Sequence, residues 1–162
     1  MKKLVLVRHA KSSWDNPTLS DHARPLASRG LRDAPLMGKR IKNNSILPDL
    51  IISSDAERAK ETAFVFGEIL KYPKEKIVLT KNLYHAATFE IISVIRSVSS
   101  DVEVLFIFGH NPGMNELMWK MGGKLDNLPT TGIFAVNATI TDWKDFETSK
   151  VEFWFEDYPK KF

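Results

Sequence analysis

The chain has 162 residues, 43% hydrophobic and 27% charged, with a net charge of +3 and no cysteine. That length suits one domain with a sizeable core, and the missing cysteines exclude disulfides, thiolate metal sites and a cysteine nucleophile. No apolar run approaches the ~18 residues that span a bilayer. The basic residues are also scattered, densest at 71–76 and Lys160-Lys161, without the aromatic-laced stripe of a nucleic-acid binder.

Leu4-Val5-Leu6-Val7 is a short apolar run and predicts a buried strand, ended by Arg8-His9. It is too short for the apolar core of an export signal, so a cytoplasmic location is expected. A polar loop follows from Lys11 to Arg24, and helical spacing runs from Ser28 to Asn43, with Gly30 and Pro35 near its start. Leu50-Ile51-Ile52-Ser53 predicts a second strand. Ser54-Asp55-Ala56-Glu57 has the form of a capping box opening a helix to Leu70.

Ile77-Val78-Leu79 predicts a third strand. Thr88 is a candidate cap for a helix with apolar face Ile91, Ile92, Val94, Ile95 and Val98. Val102 to Phe108 is the strongest strand signal. Asn111 then offers an N-cap and Pro112 a first helical position. Phe134, Val136, Ala138 and Ile140, and later Val151, Phe153 and Phe155, alternate with period two, as strands added at one side of a sheet do. Strands alternating with helices predict a three-layer α/β/α sandwich with a mainly parallel sheet, in one domain over 1–162.

In open α/β sheets, ligands bind beyond the carboxyl ends of the strands. Arg8 and His9 follow the first strand, Arg58 lies in the first turn after the second, and His110 follows the strongest. Parallel strands would bring all four to one sheet edge. Two guanidiniums and two imidazoles beside helix N-termini describe a phosphate pocket.

Leu6-Val7-Arg8-His9-Ala10, Ser53-Ser54-Asp55-Ala56-Glu57-Arg58-Ala59 with Thr62, and Gly109-His110-Asn111-Pro112 occur in the order of the motifs of the histidine phosphatase superfamily, which this chain resembles. Asp21-His22-Ala23-Arg24-Pro25-Leu26 before Arg29-Gly30 looks most like its SixA-type phosphohistidine phosphatases. The resemblance implies a phosphoglycerate mutase-like fold and a phosphatase that needs no metal or cofactor. His9 would be the nucleophile, forming a phosphohistidine that water hydrolyses. Arg8, Arg58 and His110 would hold the phosphoryl oxygens.

Three positions depart from the family pattern. Ala10 replaces a glycine. Asp15 stands where mutase-like members carry a phosphate-contacting Asn, which argues against bisphosphorylated sugars. No carboxylic acid occupies the expected proton-donor position, leaving His85 and Asp15 as candidate donors. Trp14 is near enough in sequence to His9 to line the pocket, whereas Trp119, Trp143 and Trp154 are expected to pack, and His22 to be a loop residue.

The resemblance implies phosphohistidine on a protein, such as a histidine-phosphotransfer domain, as the substrate, and the missing acid fits it because a phosphoramidate tolerates that lack. The alternatives are a small phosphorylated metabolite as substrate, or a non-catalytic phosphate-binding module of the same fold. A metal hydrolase is disfavoured because no ligand spacing such as His-Glu-x-x-His occurs. Neither nucleic acid nor membrane is an expected partner.

Overall fold

The computed structural model describes residues 1–161. Its centre is a six-stranded sheet. In chain order the strands are β1 (Lys2–Arg8), β2 (Leu50–Ser54), β3 (Val78–Thr80), β4 (Val104–Gly109), β5 (Ile133–Ala138) and β6 (Val151–Asp157). The spatial order is β3-β2-β4-β1-β5-β6. The first four are parallel to one another, while β5 and β6 run antiparallel at one side. The three-layer sandwich, the mainly parallel sheet and the late edge strands are therefore as expected.

Helices α1 (Ser28–Asn43) and α2 (Glu57–Ile69) cover one face, where Met37, Ile41, Ala63 and Phe66 meet Val5, Val7, Phe106 and Phe108. Helices α3 (Thr88–Arg96) and α4 (Gly113–Lys120) cover the other, where Ile91, Ile95, Leu117 and Met118 meet Leu4, Leu6, Leu105 and Ile107. Successive strand residues point to opposite faces, which is why β1 and β4 read as unbroken apolar runs: both faces are buried. Among the described residues, no helix is long and apolar enough to cross a membrane.

One consequence of this winding positions the site. β1 and β4 are neighbours, with Arg8 opposite Gly109. The chain leaves β1 for α1 on one face and leaves β4 for α4 on the other. Adjacent strands whose following helices diverge open a crevice at their carboxyl ends, the usual ligand position in such sheets.

Several local expectations are corrected. Ser54 is the last residue of β2 and makes no capping box; α2 starts at Glu57 behind Ala56, without a side-chain cap. The Ser54 hydroxyl is engaged by Ala56 N at 3.2 Å and by His110 Nε2 at 2.8 Å. Thr88 is not the cap of α3 but its first residue; its hydroxyl donates to Glu116, and Glu90 takes the Ala87 N–H instead. α4 starts at Gly113, after Pro112, although Asn111 Oδ1 still accepts Asn115 N–H at 3.1 Å. β3 lies one residue later than expected, and Val102 precedes β4. Helix α1 runs through Pro35.

Two glycines hold the loops that rise beside the crevice. A Cβ on Gly30 would sit 2.3 Å from the Lys11 carbonyl oxygen, and one on Gly113 would sit 2.1 Å from that of Ala86. Only glycine permits such approach. The loop 11–27 is further closed at its base, where Ala27 N donates to Lys11 O and Ser13 N to Pro25 O, both at 2.8 Å.

Candidate active site

The crevice holds a pocket of about 240 Å³, lined in its depth by Arg8, His9, Arg58 and His110. The four residues that the sequence singles out thus meet, although they come from β1, the segment after it, α2 and the end of β4. The rings of His9 and His110 have centroids 5.0 Å apart.

His9 is 7% exposed. Its backbone N–H donates to Gly109 O at 3.0 Å, and its Nδ1 lies 2.7 Å from Ala10 O. A carbonyl oxygen can only accept, so Nδ1 carries the ring proton and Nε2 keeps its lone pair. Burial pushes the imidazole pKa down to about 3; the Ala10 contact opposes this, and the charges of Arg58, Arg8 and Arg24 add to it. His9 is therefore neutral at physiological pH, with one nitrogen free.

His110 is held through Nε2, 2.8 Å from Ser54 Oγ. Ser54 Oγ accepts the Ala56 N–H, and with its own proton donated to Nε2 the ring proton of His110 sits on Nδ1. Burial, then the neighbouring His9, Arg58 and His85, lower the pKa of His110 to about 2.

Arg8 donates through Nη1 to Leu128 O at 3.0 Å, and Arg58 through Nη1 to Asp21 O at 2.8 Å. Burial, with Arg58 nearby, lowers the Arg8 pKa below its ordinary value. The decisive feature is what these groups leave over. Arg8 Nε, Arg58 Nε and His110 Nδ1 are all buried without a hydrogen-bond partner. A buried, unpaired donor costs about 1–3 kcal/mol, so these nitrogens, on three residues that line the pocket, have hydrogen-bonding capacity that an acceptor-rich anion could use.

The backbone here is also constrained. Thr131 N donates to both Arg8 O and His9 O at 3.1 Å while holding φ at 61°, an unfavourable value for a β-branched residue. Thr62 Oγ1 accepts Ala10 N–H at 3.0 Å and donates to Arg58 O, tying α2 to the segment after β1.

The rim differs from the sequence expectation. Asp15 is exposed and outside the pocket, with its N–H on Ser13 Oγ, so neither proton donation nor repulsion of a second phosphate can be ascribed to it. His85 does reach the rim: its Nε2 lies 3.0 Å from Asp21 Oδ2 and 3.2 Å from Arg58 Nη2, and its ring centroid 5.3 Å from that of His110. Trp14 lines the mouth, 70% exposed, with the Arg24 guanidinium 3.5 Å from its ring centre. His22 bonds Asp55 at 2.9 Å. Trp143 is buried in the core, whereas Trp119 is half exposed, with Nε1 on Leu125 O.

Sequence reasoning gives no place in the site to Asp21, Arg24 or Tyr84, and reads Ser54 only as a helix cap. Asp21 joins three segments: Oδ1 accepts from Arg24 Nε and Nη2 at 3.2 and 3.1 Å, and Oδ2 accepts from Tyr84 Oη at 2.7 Å and Arg58 Nη2 at 3.0 Å. Burial alone would raise its pKa, but the bonds from Tyr84 and Arg58 hold the carboxyl well below the usual range. The signal for Asp21 and Arg24 was the 21–26 block, noticed as a likeness rather than as a site.

A model of the histidine phosphatase superfamily (branch 1) matches residues 4–83. An uncharacterised protein of Mycobacterium tuberculosis is 32% identical over 152 residues, covering 87% of this chain and 92% of that one. The structure assigned as the phosphohistidine phosphatase SixA of Agrobacterium tumefaciens superposes with a TM-score of 0.81 at 25% identity, covering 98% of both chains. The protein histidine phosphatase SixA complexed with tungstate shares the fold, with a TM-score of 0.81 at 19% identity and 97% of each chain covered.

Proposed function

Since this chain belongs to the histidine phosphatase superfamily and is a SixA-like phosphatase, we propose that His9 is its nucleophile and a phosphorylated histidine on a protein its substrate. The observation that carries this reading is the set of buried, unpartnered nitrogens on Arg8, Arg58 and His110, three residues that line one pocket with an imidazole that has one free nitrogen. The likeness to phosphohistidine phosphatases supports the substrate class.

In the first step His9 Nε2 attacks phosphorus in line. The N–P bond of the substrate breaks, its electron pair stays with the leaving ring, and the phosphoryl group is held on His9. Arg8 Nε, Arg58 Nε and His110 Nδ1 receive the non-bridging oxygens, positioning the group and stabilising the charge of the transition state. In the second step water attacks phosphorus, the His9–P bond breaks and inorganic phosphate leaves. His85 at the rim is the group suited to exchange a proton with that water, or with the oxygen of an ester leaving group. His85 thus supports a second reading, a phosphatase of small phosphomonoesters.

Rapid-quench labelling tests the nucleophile, with a phosphorylated histidine-phosphotransfer domain and a panel of phosphomonoesters as substrates. Acid-labile label on His9, absent in His9→Ala, is expected, with the phosphorylated domain turned over faster than any ester. No trapped label would overturn the nucleophile. Preferential turnover of a sugar phosphate would overturn the substrate class.

A further inference from the structure

In-line displacement sends the leaving group to the side of phosphorus opposite His9. His9 lies at the pocket's buried end, so that side is the mouth, where Asp21 and His85 stand with their side chains 38% and 56% exposed. Among the described residues, Asp21 is the one carboxylate lining the pocket. Arg24 faces it from its own loop, Arg58 from α2, and Tyr84 and His85 from the loop before α3; Arg8, Lys11, His9 and His110 share the pocket. With Tyr84 and Arg58 donating to it, Asp21 is a fixed negative charge and no source of protons.

A phosphorylated imidazole exists in two protonation states. When its distal nitrogen carries a proton, the ring is an imidazolium. The P–N bond can then break with its electron pair going to the ring nitrogen, and a neutral imidazole departs. No proton has to be delivered to the breaking bond. Without the distal proton the departing species is an imidazolate, a far poorer leaving group. The pocket's guanidiniums, which suit the phosphoryl oxygens, disfavour the imidazolium by like-charge repulsion.

Resting on the phosphohistidine reading, we propose that Asp21 is a specificity-determining residue: its carboxylate is the counter-charge that keeps the bound phosphorylated imidazole protonated, so the site favours P–N over P–O cleavage. An ester oxygen leaves with developing negative charge. It gains nothing from a neighbouring anion that cannot donate a proton. The same charge therefore acts with opposite sign on the two substrate classes.

The test compares the full-length wild type, Asp21→Asn and Asp21→Glu on 1-phosphoimidazole and 4-nitrophenyl phosphate across neutral and alkaline pH. Asp21→Asn is expected to lower the ratio of kcat/KM for 1-phosphoimidazole over the ester about tenfold. The alkaline limb for 1-phosphoimidazole should move about one pH unit lower. Asp21→Glu should restore both. Repeating the profile in a His85→Gln background excludes His85 as the source of the limb. A ratio changed by less than about twofold, or an unmoved limb, in an enzyme that turns over 1-phosphoimidazole would overturn this inference and leave the nucleophile standing. Equal loss on both substrates would reduce Asp21 to a structural role and overturn it too. A wild type that hydrolyses the ester but neither 1-phosphoimidazole nor a phosphorylated histidine domain would overturn both readings.

Discussion

The floor and the rim of this pocket are built on different terms. The floor is Arg8, His9, Arg58 and His110, all within 7% exposure or at strand ends, each held by backbone or by a buried hydroxyl. The rim is Trp14, Asp21 and His85, partly exposed, borne on two loops and tied to the floor through the carboxylate of Asp21. The floor has donors to spare and suits a phosphoryl group whatever carries it. The rim has the titratable and aromatic groups that a leaving group would meet. On the proposed function, chemistry belongs to the floor and selectivity to the rim, and substitutions should affect them separately.

The largest effect should come from the floor. On the proposed mechanism, His9→Ala removes the attacking atom and is expected to lower kcat/KM by on the order of 10⁴-fold or more in steady-state assays with any phosphorylated substrate. Arg58→Ala should lower kcat about 10²–10³-fold for ester and phosphoramidate alike, as the loss of a donor to transition-state charge does. A loss confined to one substrate class would erase the division between floor and rim.

The floor also has a pH signature. His9 and His110 are neutral when folded, with pKa values near 3 and 2 against an ordinary 6.5. The unfolded chain therefore binds protons below pH 6.5 that the folded chain does not. Stability is whole above that pH and should fall by about 1.4 kcal/mol per pH unit for each histidine as pH drops toward 3. Urea melts at a series of pH values measure the slope, and His9→Ala should remove its share. An unchanged slope would mean that the imidazoles are not desolvated as the packing requires.

Smaller effects belong to the rim. Trp14→Ala should raise KM about threefold for a protein substrate with kcat unchanged, since its ring is a surface at the mouth and not a contact to the phosphoryl group. Asp15→Asn should change neither constant by more than about twofold, because the side chain lies outside the pocket. A large effect of Asp15→Asn would sharpen the comparison the other way, extending the rim along the loop.

This separation also explains what could be read from residues alone. Arg8, His9 and His110 follow apolar strands, and Arg58 opens a helix behind another. Hydrophobic periodicity locates strand ends, and parallel strands bring their ends to one edge. The floor was therefore legible. Ser54 was misread as a capping residue because its local pattern fits a capping box. Its hydroxyl instead meets His110, 56 positions away in the chain, and no local rule contains that contact. Asp15 and Asp21 are both acids in one polar loop, with nothing in periodicity to separate them. Asp21, in the turn at 21–23, is held against the pocket by Arg58 and Tyr84 from remote segments, whereas Asp15 is exposed to solvent.

The layered sheet and the four groups at the strand ends are thus written in the residues themselves, because burial imposes a period on the chain and the sheet's winding does the rest; the family is carried by the resemblance of three short motif blocks. Tertiary structure alone decided which nitrogen of His9 is free, which donors stay unpaired, and that Asp21, not Asp15, faces the pocket. Those are matters of distance between loops remote in sequence, where a hydrogen bond is made or missed within an ångström.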